Sequence, residues 1–418
     1  MVAVPTARKR ILFLTPQLPF PPEQGTALRN YNLIAQVARR HDVALLSFGE
    51  PSADPGPLAQ LCHPLCLVPA PRRTLRRRLW DLLRSRRPDM ALRLASPAYA
   101  DALRSLLRQE SFDLIQVEGL EMAPYAELVR GWLGPRAPKM ILDAHNAEYL
   151  LQRRALETDL RLPARWPAAL YSWIQCRRLR AFERAACRRA DGLVAVSEAD
   201  AQALKALDDT LRPLVVPNGV DLERYHPGLP DSLPLHHPAV VFTGKMDFRP
   251  NVDAALWFYR RCWPLVRRAV PEAHFYVVGK QPHPRLASLR ADPSVTLTGY
   301  VPDILPYFGG ADVYVAPLRM GGGTRLKILE AMAAGLPLVS TTLGAEGIAL
   351  IPGEHALLAD TPAQMAEAVI TLLRDGARAR VLGMAARRFV ELHYSWEKIA
   401  PRLEALYAAA GCSPAAPI

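Results

Sequence analysis

Short apolar runs recur along the chain, and segments with helical spacing separate them. The runs are 11–15, 43–48, 113–117, 140–144, 192–196, 240–243, 275–278, 295–298, 313–316 and 338–340. Such runs are typical of parallel strands in a sheet that helices cover on both faces. The pattern restarts after Val215-Val216-Pro217-Asn218-Gly219. It therefore predicts an α/β chain of two doubly wound domains, 1–214 and 215–394, with an amphipathic tail over 395–418.

Helical spacing separates several of these runs. The clearest segments are 26–40, 252–269, 325–334 and 362–374. In the first segment, the spacing predicts an apolar face made of Leu28, Tyr31, Ala35 and Ala38. In the tail it predicts an apolar side made of Ile399, Leu403, Leu406 and Tyr407.

The N-terminus does not have the pattern of a secretory signal. Arg8-Lys9-Arg10 precede an apolar stretch, but that stretch is only Ile-Leu-Phe-Leu (11–14) before Thr15-Pro16. This is too short for a signal-peptide core, and no run in the chain approaches the ~18 apolar residues that span a bilayer. The six cysteines contain no CxxC pair, which favours free thiols in a reducing compartment. We therefore expect a cytoplasmic protein.

Positive charge is concentrated in the first half of the chain. The net charge is +12, and residues 1–210 hold 31 Lys and Arg against 22 Asp and Glu. This imbalance favours an anionic partner for the first domain. No base-stacking or groove-reading motif accompanies the basic residues, so nucleic acid is not an expected partner.

The most basic segment is 72–87, which holds eight arginines and one acid, Asp81. Leucines and a tryptophan interleave with the arginines. At helical spacing this is the pattern of a helix that lies on an anionic membrane surface, at the inner face of the cell membrane. The alternative is a helix that packs Leu75, Leu79 and Leu83 on the sheet and leaves its arginines in solvent. Both interpretations are open from the sequence.

A glycine-rich junction at 316–335 is the strongest candidate for a ligand site. A strand ends at Pro317, three glycines follow at 321–323, and a helix begins near Thr324. Glycines let the backbone approach a ligand closely, and the free N–H groups at a helix N-terminus bind anions. Ligands of open α/β sheets bind at such strand ends.

Charged side chains follow the same glycines. Arg325 and Lys327 add positive charge beside a bound anion, and Glu330 lies one turn further, where its carboxylate can accept hydrogen bonds from a sugar diol. The alternative is a flexible glycine turn followed by a solvated helix face. The combination of cations and one acid just after a strand end favours a function.

The sequence Ile-Leu-Glu-Ala-Met-Ala-Ala-Gly-Leu-Pro (328–337) resembles the signature of the retaining glycosyltransferases of the group-1 (family 4) class. That signature has two glutamates separated by seven residues. Glu330 matches the second, which holds the nucleotide ribose, whereas Gly322 stands where the first would fall. The resemblance implies the GT-B fold, with two Rossmann-like domains facing each other across a cleft. It places the acceptor on the domain 1–214 and the nucleotide sugar on 215–394.

Other segments carry the same resemblance. They are 143–148 at the donor sugar, 216–227 between the domains, 242–253 at the diphosphate, 299–303 at the base, and 394–397, which returns the last helix to the first domain. The resemblance implies that Lys245 and Arg249 act on the leaving diphosphate. Lys327, whose charge lies beside the same anion, completes the expected catalytic residues. The donor-binding residues that the resemblance implies are Gly25, His145, Tyr300, Val301 and Glu330. The glycine-rich junction adds Gly322, Gly323, Thr324 and Arg325 to the expected donor-binding residues. Taken alone, His145 can instead be a loop cap and Lys245 a surface lysine.

A mechanism follows from these residue types. A sugar that leaves a nucleotide diphosphate leaves negative charge on the phosphate, and Lys245, Arg249, Arg325 and Lys327 can stabilise that charge without a metal. No Asp-x-Asp metal motif is evident, so neither a metal nor another cofactor is expected. The resemblance implies retention of the anomeric configuration. Since no enzyme nucleophile is visible, we expect the acceptor to attack on the face that the phosphate leaves.

The expected donor is a nucleotide-diphosphate sugar, and the expected acceptor is a glycan or a polyprenyl-diphosphate-linked sugar. The sequences Pro-Asn-Val-Asp and Gly-Gly-Gly-Thr-Arg look most like sugar transferases of bacterial exopolysaccharide clusters. Two other functions stay open. One is a sugar-nucleotide epimerase of the same fold, and the other is a non-catalytic nucleotide-binding member, which Gly322 makes conceivable.

Overall fold

The computed structural model describes residues 8–22, 25–160, 166–230, 233–321 and 326–410. These residues form two compact units. The first contains the described residues up to Pro217 together with those from Ile399 onward, and the second is Asn218–Lys398. The chain therefore leaves the first unit once and returns to it at its end.

The first unit is built on a parallel sheet. Its strands are β1 (Arg10–Thr15), β2 (Asp42–Phe48), β3 (Cys62–Val68), β4 (Leu114–Glu118), β5 (Lys139–Ala144), β6 (Gly192–Ala195) and β7 (Leu214–Val215). They pair in the order β3-β2-β1-β4-β5-β6-β7. The helices are α1 (Gly25–Val37), α2 (Leu58–Leu61), α3 (Leu75–Arg84), α4 (Asp89–Leu92), α5 (Pro97–Gln109), α6 (Ala123–Leu133), α7 (Glu148–Leu160), α8 (Trp166–Arg189) and α9 (Glu198–Leu207), with 3-10 turns at Leu120–Met122 and Gly134–Arg136.

The second unit has a parallel sheet of its own. Its strands are β8 (Ala239–Thr243), β9 (His274–Val278), β10 (Val295–Gly299), β11 (Val313–Ala316), β12 (Leu338–Ser340) and β13 (Leu357–Leu358), in the order β10-β9-β8-β11-β12-β13. The helices are α10 (Arg249–Trp257), α11 (Trp263–Ala269), α12 (Leu305–Gly309), α13 (Leu326–Ala333), α14 (Pro362–Arg374) and α15 (Gly376–His393), with a π turn at Phe258–Cys262 and a 3-10 helix at Pro284–Ala291. The last helix, α16 (Trp396–Ala409), begins at the end of this unit and belongs to the first unit from Ile399 onward.

Both sheets have a central pair of strands at which the strand order reverses. These pairs are β1 and β4 in the first unit and β8 and β11 in the second. Ligands of doubly wound sheets bind outside the carboxyl ends of the strands at this point. The predicted α/β class with two doubly wound domains is confirmed, and each unit offers one such edge.

The predicted apolar face of the first helix is wrong. The side of α1 that is buried carries Ala27, Arg29, Asn30, Leu33, Ile34 and Val37. The residues predicted to form the face, Leu28, Tyr31, Ala35 and Ala38, are only partly buried. The periodicity misled because two polar residues, Arg29 and Asn30, turn inward to partners on the sheet.

The last helix packs on the first unit through the predicted apolar side. Ile399, Leu403 and Tyr407 of α16 are fully buried. The Tyr407 hydroxyl donates to Gln116 Oε1 at 3.1 Å, and Lys9 Nζ donates to the Tyr407 carbonyl at 2.7 Å. Within the described ranges, each helix is too short or too polar to cross a membrane.

Candidate active site

The loop after β8 presents two exposed cations. Lys245 is 54% exposed at its side chain and lies 3.4 Å from the Asp247 carboxylate. Arg249 is also exposed and is the first residue of α10. Both therefore stand at the carboxyl edge of the second sheet, beside the point where its strand order reverses.

Backbone packing fixes this loop. A Cβ atom on Gly279 would lie 1.7 Å from the Gly244 carbonyl oxygen, so the turns after β8 and β9 meet without room for a side chain. A Cβ on Gly244 would lie 2.6 Å from Lys327 Nζ. Glycine at both positions therefore allows α13 and two strand ends to converge.

Lys327 ties the first turn of α13 to the end of β8. Its Nζ donates to the Thr243 carbonyl at 2.7 Å and to Asn251 Oδ1 at 2.8 Å. The same atom lies 4.7 Å from the centre of the Phe242 ring. The ammonium group thus stands at the strand end, and it also holds the loop that carries Lys245 and Arg249.

Glu330 lies one turn further along α13 and remains partly exposed. The Tyr225 hydroxyl donates to its carboxylate. Burial raises the pKa of Glu330, whereas the charge of Lys327 and the Tyr225 hydroxyl lower it, and the net pKa lies above its usual value. A carboxylate has several acceptor positions, so Glu330 can accept hydrogen bonds from a ligand besides the one from Tyr225.

The loop after β10 presents Tyr300, which is 69% exposed, and Val301, which is partly buried. Gly299 before them has a φ of 75°, a conformation that favours glycine and turns the chain at the strand end. This loop lies at the same sheet edge as the loop after β8. The predicted residues Gly322, Gly323, Thr324 and Arg325 lie outside the described residues.

In the first unit, a buried charged cluster lies at the carboxyl ends of β4 and β5. Arg29 Nε and Nη2 both donate to Asp143 Oδ2, at 3.0 and 2.7 Å. His145 Nε2 lies 2.9 Å from Glu118 Oε2. The Asn30 amide nitrogen, oriented toward Glu118, donates to the same oxygen at 2.9 Å. Of these residues, the sequence predicted only His145 as a site residue. Glu118 was not predicted, although a polar residue directly after the apolar run 113–117 indicates a strand-end site.

The cluster favours the charged form of His145. Burial lowers the pKa of His145, but the hydrogen bond to Glu118 and the charge of Asp143 outweigh burial and raise it. Ligand atoms of Glu118, Asp143 and His145 lie within 4.8 Å of one another, a spacing that a metal ion could bridge. Arg29 already supplies a positive charge 2.7 Å from Asp143, so the donor set fits a metal poorly.

The loop that carries His145 is held by buried acids from other helices. Glu183 of α8 accepts hydrogen bonds from the backbone N–H groups of Glu148 and Tyr149, each at 2.8 Å, and so caps α7. Asp200 of α9 accepts from the Ala147 N–H at 3.1 Å. Burial raises the pKa of Glu183 to about 8.

Gly25, which the sequence predicted as a donor-binding residue, is the first residue of α1, the helix that carries Arg29.

A cavity of about 300 Å³ lies near this loop, between α3, α4, α7 and α8. Its lining includes Arg78, Arg93, Glu148, Gln152, Tyr171 and Gln175. The two arginines of its lining are compensated, because Arg78 lies 3.5 Å from Asp89 and Arg93 pairs with Glu121. A lining of amides, a phenol and compensated charges suits a hydroxyl-rich ligand better than a strongly anionic one.

Most of the basic segment 72–87 forms α3. The exposure of one of its leucines distinguishes the membrane-surface helix from the helix that packs on the sheet. Leu83 is 82% exposed, so it does not pack on the sheet. Leu75 and Leu79 lie in the helix, but their side chains are outside the described part. Several arginines of the segment are paired with acids: Arg73 with Asp81 and Asp89, Arg77 with Asp81, Arg78 with Asp89, and Arg87 with Glu127.

Two family models match the chain, one to each half. The model "Glycosyltransferase Family 4" matches residues 24–224, and the model "Glycosyl transferases group 1" matches residues 237–375. Solved structures of the same fold cover almost the whole chain. Sucrose-phosphate synthase from Thermosynechococcus elongatus superposes with a TM-score of 0.71 at 19% identity, covering 96% of this chain and 99% of that one. Anabaena HepE in complex with UDP gives 0.64 at 17% identity, covering 96% and 100%.

The strand order and these neighbours define a two-domain GT-B protein with Rossmann-like sheets. With a family model matching each half, the chain belongs to the group-1 glycosyltransferases of family 4.

Curated relatives match part of the chain. A GDP-mannose-dependent alpha-(1-6)-phosphatidylinositol monomannoside mannosyltransferase from Mycobacterium tuberculosis is 30% identical over 45% of this chain and 54% of its own length. An uncharacterized 44.6 kDa protein in the cps region of Klebsiella pneumoniae is 22% identical over 42% of this chain and 47% of its own length. The chain thus spans about half the length of these curated relatives.

Proposed function

We propose that this chain is a retaining hexosyltransferase that moves a sugar from a nucleotide diphosphate to an acceptor. The observation that carries the proposal is the group of charged residues at the carboxyl ends of β8 and β11. Lys245, Arg249 and Lys327 supply positive charge at the sheet edge where such folds bind their ligands. Glu330 supplies an acceptor for hydroxyl groups beside them.

The proposed donor is a nucleotide-diphosphate sugar bound to the second unit. A nucleoside diphosphate is bound in the HepE neighbour, and the mycobacterial relative is GDP-mannose-dependent. Tyr300 and Val301 would contact the base, Glu330 the ribose, and Gly322, Gly323, Thr324 and Arg325 the diphosphate. No separate cofactor is part of the proposal, because the protein cations carry the charge.

In the proposed reaction, the bond between the anomeric carbon and the phosphate oxygen breaks while the acceptor oxygen bonds to the same carbon. The departing phosphate takes the acceptor proton, and Lys245 and Arg249 stabilise the charge that develops on it. Lys327 acts at the same place and also holds the loop through the Thr243 carbonyl and Asn251. Retention follows from attack on the face that the phosphate leaves.

The proposed acceptor is a glycan or a polyprenyl-diphosphate-linked sugar, in exopolysaccharide or other cell-surface glycan synthesis at the inner face of the membrane. The relative from a cps region supports this setting. The cavity beside α7 and α8 suits the sugar part of such an acceptor, since Glu148, Gln152 and Gln175 offer hydrogen bonds and the arginines of the lining are paired with acids. Gln152→Ala should then raise the acceptor KM and leave donor hydrolysis unchanged.

The test is a donor-hydrolysis assay on the whole chain with a panel of UDP- and GDP-sugars. We expect release of nucleoside diphosphate from at least one donor, and loss of that release in the Lys245→Ala, Arg249→Ala double variant. Binding of a nucleoside diphosphate without release from any donor would instead indicate a non-catalytic binding protein. Interconversion of sugar nucleotides without transfer would indicate an epimerase.

A further inference from the structure

Two helices of the first unit present large apolar side chains to solvent. Trp80 and Leu83 project from α3, and Trp166, Leu170 and Trp173 project from α8. Their exposed fractions run from 47% for Trp173 to 82% for Leu83. Clustered exposed tryptophan and leucine mark a contact surface, because single exposed apolar residues are common but patches are not.

On α8 these residues form one continuous face. Trp166, Leu170 and Trp173 follow each other at intervals of four and three residues, which places them on one side of the helix. Ala169 and Ser172, between them in sequence, are buried. The spacing of these residues therefore gives α8 an apolar outward face. This face is separate in sequence from the basic segment 72–87.

The exposed residues of the two helices belong to neighbouring elements. Arg78 Nη2 of α3 donates to the Tyr171 hydroxyl of α8 at 3.4 Å. Arg178 Nη2 of α8 donates to the Leu82 carbonyl of α3 at 2.9 Å. These two bonds make α3 and α8 neighbours. We name their exposed apolar side chains together the α3–α8 surface: Trp80, Leu83, Trp166, Leu170 and Trp173.

Arginines surround the tryptophans of this surface. The Arg84 guanidinium lies 4.1 Å from the Trp80 ring, and that of Arg177 lies 5.1 Å from the Trp173 ring. Arg76, Arg84, Arg86 and Arg177 form no ion pair with any residue in the described ranges. The surface thus carries positive charge that no described acid of the protein compensates.

Exposed tryptophans, leucines and uncompensated arginines on two neighbouring helices fit the interface of an anionic bilayer. Amphipathic tryptophan rings prefer the headgroup level, leucines reach the upper acyl chains, and arginines bind lipid phosphates. We propose that the α3–α8 surface binds an anionic lipid bilayer, with α8 inserting its apolar face beside α3. This proposal names the surface behind the membrane location in the proposed function, and it rests on that location. It does not depend on the chemistry of the donor site.

The test is co-sedimentation of the whole chain with phosphatidylcholine vesicles, with and without phosphatidylglycerol. We expect binding that needs phosphatidylglycerol, weakens as salt rises and falls at least about tenfold in Leu170→Glu and in Trp173→Glu. Leu392→Glu is the matched control, because Leu392 is 65% exposed on α15 of the other unit. That variant should bind vesicles like the parent.

Quenching by brominated phosphatidylcholine in the same vesicles gives a second readout. We expect quenching of the parent tryptophan emission, reduced in a variant with Trp80, Trp166 and Trp173 changed to Gln. Binding that is insensitive to both α8 variants, or no binding to anionic vesicles, overturns the proposal; in the second case the surface would be a protein contact. Binding of a nucleoside diphosphate is measured by titration in the same variants. Normal nucleotide binding with failed vesicle binding would overturn this proposal and leave the donor site intact.

Discussion

Lys245 and Lys327 lie at the same strand end but in different surroundings, and their substitutions should differ. Lys245 is exposed and lies 3.4 Å from the Asp247 carboxylate, whereas Lys327 donates to the Thr243 carbonyl and to Asn251. Lys245→Ala should lower kcat by roughly 100-fold with an unchanged melting temperature, because the lysine acts on charge that develops in the transition state.

Lys327→Ala should lower kcat and also destabilise the fold by about 1–3 kcal/mol, since it leaves a strand-end carbonyl without its donor. Steady-state kinetics and thermal melting of both variants check these expectations. Equal melting temperatures and full turnover in both would show that neither lysine serves the leaving phosphate.

Glu330 is the residue whose removal should affect nucleotide binding most. A ribose diol offers two O–H groups, and hydrogen bonds to a charged group contribute roughly 1.5–3 kcal/mol. Glu330→Ala should therefore weaken binding of the nucleoside diphosphate by roughly 10- to 150-fold in calorimetric titration.

Tyr225→Phe is the matched control for Glu330, because it removes the donor to this carboxylate and keeps the ring that packs near Phe308. If Glu330 serves only Tyr225, both variants should lose stability alike and bind nucleotide alike. Normal affinity in Glu330→Ala, or a melting-temperature loss that explains its weak binding, would refute the ribose assignment.

At the scale of single elements, α7 begins where Glu183 caps it, and this cap should be sensitive to pH. The pKa of Glu183 rises from 4.5 to about 8 because the carboxyl is buried. Between these values the folded protein holds a proton that the unfolded chain has released, so stability falls as pH rises through this window.

Glu183→Gln should reduce that fall, as measured by melting temperature from about pH 5 to about pH 9. Glu198→Gln, at an exposed residue in the first turn of α9, should leave the slope unchanged. The same dependence on pH in the parent and in Glu183→Gln would contradict the assignment.

The elements that the sequence did not predict have physical reasons. β3 contains Pro64, which argues against a central strand, but β3 is an edge strand, where a missing N–H is tolerated. In α1 the buried Arg29 and Asn30 break the apolar periodicity, because their partners Asp143 and Glu118 come from distant strands. Local hydrophobic spacing does not predict such pairs, because the two charged partners are far apart in the sequence.

For the whole molecule, the alternation of apolar runs predicted the two parallel sheets, since strands buried on both faces are apolar throughout. The runs 313–316 and 338–340 coincide with β11 and β12. The family resemblance suggested the site residues, but not the bonds of Lys327 or the network around His145. Those depend on which loops meet at the sheet edge, which one-dimensional spacing does not contain.

The central claim is sugar transfer with retention, and ¹H NMR of the reaction tests it most directly. The reaction catalysed by the whole chain is followed with the sugar nucleotide that the donor panel identifies and with an acceptor. The account predicts that the sugar first appears with the anomeric configuration of the donor, that nucleoside diphosphate forms in equal amount, and that Lys245→Ala slows both together. First appearance of the opposite anomer would contradict retention, and absence of nucleoside diphosphate with every donor and acceptor tried would contradict transfer itself.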